Sequence, residues 1–299
     1  MNKKLAPVFV ILAGCFWGSI GIFVRRLNAL GLGSMEIVES RSAITGGVLL
    51  LALLLFRRDL LRIRLRDLWC FAGGGLLSVV FFNYCYFRAI QLSSLSTAVI
   101  LLYTSPLFVT LFSVLLFRER LTGRKVFCLL LAVGGCALSS GLASGGGGVT
   151  LPVLLLGLGS GVGYALYSIF SRFALQKGYH PLTVTTYIFL FAGLGGAFLA
   201  DVPKIFALAG QGLDKLGFLL LTALVTTILP FLLYTTGLSA MENSVAAVLV
   251  SIEPAVATVI GVRFFDELPD ALGWLGVALV LTALVLLNLP ARRREKQTK

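Results

Sequence analysis

The most chemically pointed residue of this chain is a carboxylate set inside an apolar run. Glu253 stands in Val250-Ser251-Ile252-Glu253-Pro254, about ten residues from the nearer end of its segment. At about 1.5 Å per helical residue it lies roughly 15 Å deep, near the middle of a bilayer's hydrocarbon core. A carboxylate at that depth must be paired, protonated or wetted. It can therefore exchange a proton or face a cationic group. The competing reading is a protonated side chain bonded to backbone that Pro254 has freed. Arg41 offers the opposite charge, roughly 10 Å below the other surface by the same rise. It either holds an anionic group of a substrate or pairs or snorkels structurally, with Glu36, Glu39 or Glu253 as partners. Glu39 is two positions away and faces elsewhere on a helix.

The phrase around Glu253 occurs twice. Tyr103-Thr104-Ser105-Pro106 leads through apolar residues to Phe117-Arg118-Glu119-Arg120-Leu121, and the second copy leads to Phe265-Asp266-Glu267-Leu268-Pro269. Pro106 and Pro254 stand 148 residues apart, as do Glu119 and Glu267. Trp17 aligns with Tyr164, and Arg25 with Arg172. Ser105 is thus the counterpart of Glu253, and each precedes a proline expected to kink its helix, as Pro230 is expected to do further along. Trp17 and Tyr164 fall at mid-depth, where paired aromatics can flank a cationic or amphipathic molecule or simply pack helices. Asn83, Tyr103, Ser251 and Thr227 join them as candidate cavity residues, because polar groups in lipid turn toward the protein interior or toward water. Glu119 and Glu267 each precede the last helix of a copy and are expected to cap it, near its unsatisfied N–H groups.

Composition fixes the setting. Hydrophobic residues make up 58% and charged ones 13%, against about 25% charged in soluble domains, and mean hydropathy is +0.97. So few charges cannot cover a water-facing surface of this size. The net charge of +12 sits in short clusters between apolar runs, which is the pattern of cytoplasmic loops and argues against nucleic acid as a partner. The five cysteines are scattered through apolar segments and the one histidine, His180, precedes Pro181. That spacing makes neither a metal site nor a thiol nucleophile. No phosphate-binding glycine motif, serine elbow or His/Asp set is present, so an enzyme is not expected and no cofactor is implied.

Ten segments are long and apolar enough to cross a membrane: about 7–26, 35–56, 68–89, 94–117, 124–142, 152–175, 181–200, 215–238, 243–265 and 271–289. The first belongs to the repeating unit and is expected to be retained rather than cleaved as a signal. With both termini cytoplasmic, eighteen of the 25 lysines and arginines fall inside and six outside, leaving Arg41 within a span. Five spans per copy make the copies inverted, the Glu119 loop inside and the Glu267 loop outside. The expected fold is an all-α polytopic membrane protein. It has repeat 1 over 7–142, a glycine-rich linker over 143–151, repeat 2 over 152–289 and a basic cytoplasmic tail over 290–299. Inverted repeats are the architecture of secondary carriers.

Pro106 followed by Glu119-Arg120-Leu121-Thr122 and Gly134-Gly135, and Glu253-Pro254 followed by Asp266-Glu267-Leu268 with Gly273 and Gly276, resemble the EamA domain of the drug/metabolite transporter superfamily, over nearly the whole chain. The resemblance implies a ten-helix carrier of the inner membrane with a cavity between its halves, exporting amino acids or other small polar metabolites. Its partners would be a small-molecule substrate, membrane lipids and, for coupling, protons; oligomeric state stays open. Efflux of cationic or amphipathic compounds is the alternative within transport, and a passive channel or scaffold the alternative outside it. Arg41 sits where the family often has an arginine; Tyr187 takes that place in the second copy.

Overall fold

The computed structural model describes residues 5–93, 95–139, 150–265 and 270–288. The described residues form helices and turns, with no strand among them. In lipid this is expected, because a helix satisfies its own backbone polar groups. Sixteen α-helices follow one another: α1 (Ala6–Gly18), α2 (Ile20–Ala29), α3 (Ser34–Phe56), α4 (Leu68–Ala72), α5 (Phe81–Leu92), α6 (Leu95–Leu102), α7 (Ser105–Phe117), α8 (Gly123–Ser139), α9 (Leu151–Gln176), α10 (Pro181–Gly196), α11 (Val202–Ala209), α12 (Leu213–Ala223), α13 (Leu229–Leu238), α14 (Asn243–Val250), α15 (Glu253–Phe265) and α16 (Ala271–Asn288). Helix covers each of the ten segments expected from hydropathy. Among the described residues, seven stretches are long and apolar enough to cross a bilayer, while Pro181–Gly196 and Ala271–Leu287 are shorter apolar helices. The seventh segment was expected to run to residue 200, but Gly193, Gly195 and Gly196 end it in turns. The short α11 that follows, capped by Asp201 Oδ1 accepting from Lys204 N at 3.2 Å, was not foreseen.

The duplication is visible in the packing. Helix α1 lies along α13 as α9 lies along α5, and α3 pairs with α10 and α8 with α16. Each pairing therefore joins one half to the other. Two irregular π-helical stretches also recur, Gly73–Val80 between α4 and α5 and Leu224–Ile228 between α12 and α13, and they end 148 residues apart. Pro230 follows the second. Its missing N–H removes one rung of the ladder, and the helix passes the site by widening.

The prolines Pro106 and Pro254 do more than kink. Each sits in the first turn of a new helix, α7 or α15, after a turn at Tyr103–Thr104 or Ser251–Ile252. Proline suits that position because its absent N–H would have no intrahelical acceptor. Both turns are crossed by a glycine. A Cβ on Gly14 of α1 would lie 2.9 Å from Val250 O and against Ile252, and one on Gly161 of α9 would lie 2.8 Å from Thr104 Oγ1 and 3.2 Å from Leu101 O. Small residues at these points thus permit close crossing at the breaks. His180, the lone imidazole, caps α10 by accepting from Leu182 N at 3.2 Å. Burial first, and Arg57 second, hold its pKa below the ordinary imidazole value, which favours the neutral acceptor form.

Candidate functional site

The two breaks bring their polar residues to one cavity between the halves. It encloses about 880 Å³ of non-atom space, counting the volume open at its mouth. Trp17, Arg41, Asn83, Tyr103, Ser105, Tyr164, Ser251 and Glu253 all line it, with Pro106 beside them. Residues from six sequence-distant segments are therefore gathered into one place. Glu253 opens α15, so its carboxylate sits at the electropositive end of that helix. Its Oε2 accepts a hydrogen bond from Tyr164 Oη at 3.2 Å.

Aromatic rings form much of the wall. Trp17 meets Tyr164 edge-on with ring centroids 6.4 Å apart, Phe231 at 4.9 Å and Tyr234 at 5.5 Å. Phe82 lies 5.5 Å from Tyr164, and Phe189 and Tyr167 each lie 4.7 Å from Phe231. Tyr167 shares a hydrogen bond with Thr235 Oγ1 at 2.8 Å, and Tyr234 bonds Ser168. Hydroxyls so anchored hold their rings at fixed angles. Sequence reasoning named Trp17 and Tyr164 but not Phe82, Phe189, Phe231 or Tyr234. A signal was present for two of these: the 148-residue offset carries Asn83 onto Phe231 and Tyr86 onto Tyr234.

Other expectations change. Arg41 lines the cavity but joins no ion pair among the described residues, and its Nε is buried without a hydrogen-bond partner. Pairing with Glu36, Glu39 or Glu253 is thus not observed. Glu39 packs instead against Gly196, with Oε2 unpartnered. Thr227 is buried beside Thr226, 3.5 Å between hydroxyls, and does not line the cavity. Its repeat partner Val79, which stands in the other widened turn, does line the cavity. Asn83 Nδ2 donates to Val79 O at 2.8 Å and Ser251 Oγ to Ala247 O at 3.0 Å. Their remaining lone pairs can still meet a ligand.

Glu119 is a cap, but of another helix. Its Oε1 accepts from Asn243 N at 2.7 Å, and its Oε2 from Ser244 N at 3.1 Å and Ser244 Oγ at 2.6 Å. It therefore closes the start of α14, in the other half, rather than the start of α8. The backbone explains the aim. Arg118 is left-handed at φ 54°, and Glu119 N reaches back to Ser113 O at 3.3 Å, so the chain turns sharply out of α7. Lys125 pairs with Glu242 next door, and Arg172 donates to Leu238 O and Met241 O at 2.9 and 2.7 Å. Glu267, expected to cap the last helix, lies outside the described residues, as do most of the linker and the basic tail.

No cluster of three or more metal-binding side chains occurs among the described residues, and none of the five cysteines is in a disulfide. The profile of the EamA-like transporter family matches residues 4–141 and again 151–289. A pseudopaline exporter of Pseudomonas aeruginosa is 30% identical over 289 residues, spanning 95% of this chain and 96% of that protein. A threonine/homoserine exporter of Salmonella typhimurium is 28% identical over 228 residues, 75% of this chain and 72% of its own length. A solved crystal structure superposes with a TM-score of 0.80 at 20% identity, covering 98% of this chain and 99% of the other. That likeness concerns the fold alone.

Proposed function

Because the chain belongs to the EamA-like transporter family, we propose that it is a secondary carrier exporting a zwitterionic metabolite of the amino-acid type by alternating access. Its seven apolar spans and its homologues make it a multi-pass protein of the bacterial inner membrane, where helical rather than strand-barrel proteins reside. In this reading all ten helical segments cross, both termini are cytoplasmic, and the two halves are inverted copies that exchange conformations. The carrying observation is one cavity lined by an unpaired cation, Arg41, and a carboxylate, Glu253, between aromatic walls. A part-buried guanidinium without a counter-charge is a standing demand for an anionic partner. A carboxylate near mid-depth can take either an ammonium group or a proton. Two relatives named as exporters, one of them for threonine and homoserine, support the direction and the substrate class. The aromatic walls beside Glu253 favour a second reading, efflux of a cationic amphipathic compound.

Proteoliposomes holding the full chain distinguish them, with labelled L-threonine, L-homoserine and a hydrophobic quaternary ammonium as probes. The amino-acid reading expects counterflow of an amino acid. It expects Arg41→Met to raise its half-saturation by about 10- to 100-fold, the loss of one charge-assisted contact, with little change for the cation. It also expects Glu253→Gln to abolish the response to an imposed pH gradient. Transport of the cation alone, indifferent to Arg41→Met, would establish the second reading. An unchanged pH response in Glu253→Gln would remove Glu253 from coupling.

A further inference from the structure

The Glu119 contact joins the halves at one end of the cavity, and a short polar path connects it to the cavity wall. Tyr234 and Ser168 line the cavity and hydrogen-bond each other through their side chains. The carbonyl of the same Ser168 accepts from Asn243 Nδ2 at 3.4 Å. The backbone N–H of the same Asn243 donates to Glu119 Oε1 at 2.7 Å. Asn243 is fully buried, yet its Oδ1 has no hydrogen-bond partner. A buried amide that leaves half of its capacity unused is unusual and calls for a role. The carboxylate it serves is delivered by Arg118, the one described non-glycine residue with positive φ. Such a backbone is held by its surroundings and relaxes when they let go.

We propose that the Glu119 carboxylate is a latch closing this end of the cavity, and that Asn243 is the positioning residue that lets the cavity wall set the latch. The latch is built from three hydrogen bonds to one carboxyl group at the start of α14, so its loss frees that helix end together with the loop after α7. Any occupant that displaces the Tyr234 or Ser168 side chain pulls on the Ser168 carbonyl, and through Asn243 on the first turn of α14. The unused Oδ1 gives Asn243 a second bonding arrangement to adopt when that carbonyl moves. This inference rests on the alternating-access reading, and it places on the cytoplasmic side a contact that must open and close in each cycle.

The latch is read without any ligand. Spin labels at Arg120→Cys and Ser239→Cys, both exposed positions, report the separation of the two sides in the full chain with its native cysteines replaced, in vesicles of bacterial polar lipid. Glu119→Ala is expected to shift the near-to-far population ratio toward far by at least about tenfold, and Ser244→Ala, which removes one bond, by a few-fold. Tyr234→Phe is expected to change the ratio a few-fold in the parent and not at all in Asn243→Ala. An unchanged ratio in both Glu119→Ala and Ser244→Ala would overturn the latch. Equal effects of Tyr234→Phe with and without Asn243→Ala would overturn the positioning role. Uptake measured on the same vesicles separates either result from a failure of the carrier reading, because the label distances do not depend on which solute is carried.

Discussion

The two broken segments share a backbone plan and differ in chemistry. In each, a short helix ends, two residues turn, and a second helix starts with proline in its first turn against a glycine of the opposing segment. The first break presents Ser105, 3% exposed; the second presents Glu253, held by Tyr164. A duplicated scaffold thus fixes where a polar group stands, and the individual residue decides what that place does. The matched features are the breaks and the π-helical turns. The unmatched ones are Glu253 and Arg41, to which the proposed carrier reading assigns selectivity and coupling.

The comparison can be broken most forcefully by making the breaks alike. Ser105→Glu puts a second carboxylate on a buried wall, and an uncompensated buried charge costs about 3–5 kcal/mol. A lowered melting temperature in detergent is the expected result. A melting temperature equal to the parent's would mean that the two breaks are chemically interchangeable. The glycines come next. Gly14→Ala is expected to destabilise by about 1–3 kcal/mol, because the new methyl meets the fixed carbonyl of Val250, and Gly161→Ala by less, because a threonine hydroxyl can turn aside. Chemical denaturation followed by helix content ranks the pair, and the reverse order would mean that the first break is the stiffer. Tyr164→Phe removes one hydrogen bond to Glu253, worth about 1.5–3 kcal/mol where the acceptor is charged and nearer 1 where it is neutral. The midpoint of the pH–transport profile should therefore move, and no movement would detach Tyr164 from the chemistry of Glu253. Thr227→Val should alter transport kinetics by less than twofold, since its hydroxyl lies off the cavity, and a larger effect would return it to the site.

Much of this was legible in the residues. Apolar length located the ten long segments though not the short α11, and the 148-residue offset placed both breaks in register, because these depend on local composition. Eight polar or aromatic candidates did fall on one cavity, since a polar group in lipid has few other places to face. What stayed hidden depends on tertiary neighbours. Glu119 precedes α8 in sequence, yet the left-handed Arg118 directs it to α14, and no local rule tells which helix start will be opposite. Arg41 had three acidic candidates within reach on paper and pairs with none of them. Thr227 and Val79 look equivalent by offset and both stand in widened turns, yet only Val79 lines the cavity.

Those widened turns carry a consequence for chain length. Each stretch, Gly73–Val80 and Leu224–Ile228, stores residue slack relative to an α-helix just before the residues that reach the cavity, Asn83 and Phe231. Deleting one residue there would remove that slack and leave the residues beyond facing nearly as they do, whereas deleting one from the ordinary turn that follows would swing everything beyond by about 100° around the axis. Asn83 would then point toward lipid while its composition and its depth stayed nearly the same. A single-residue deletion within either stretch should therefore be better tolerated than one in the ordinary helical turns just after it, although neither stretch contains a charged side chain.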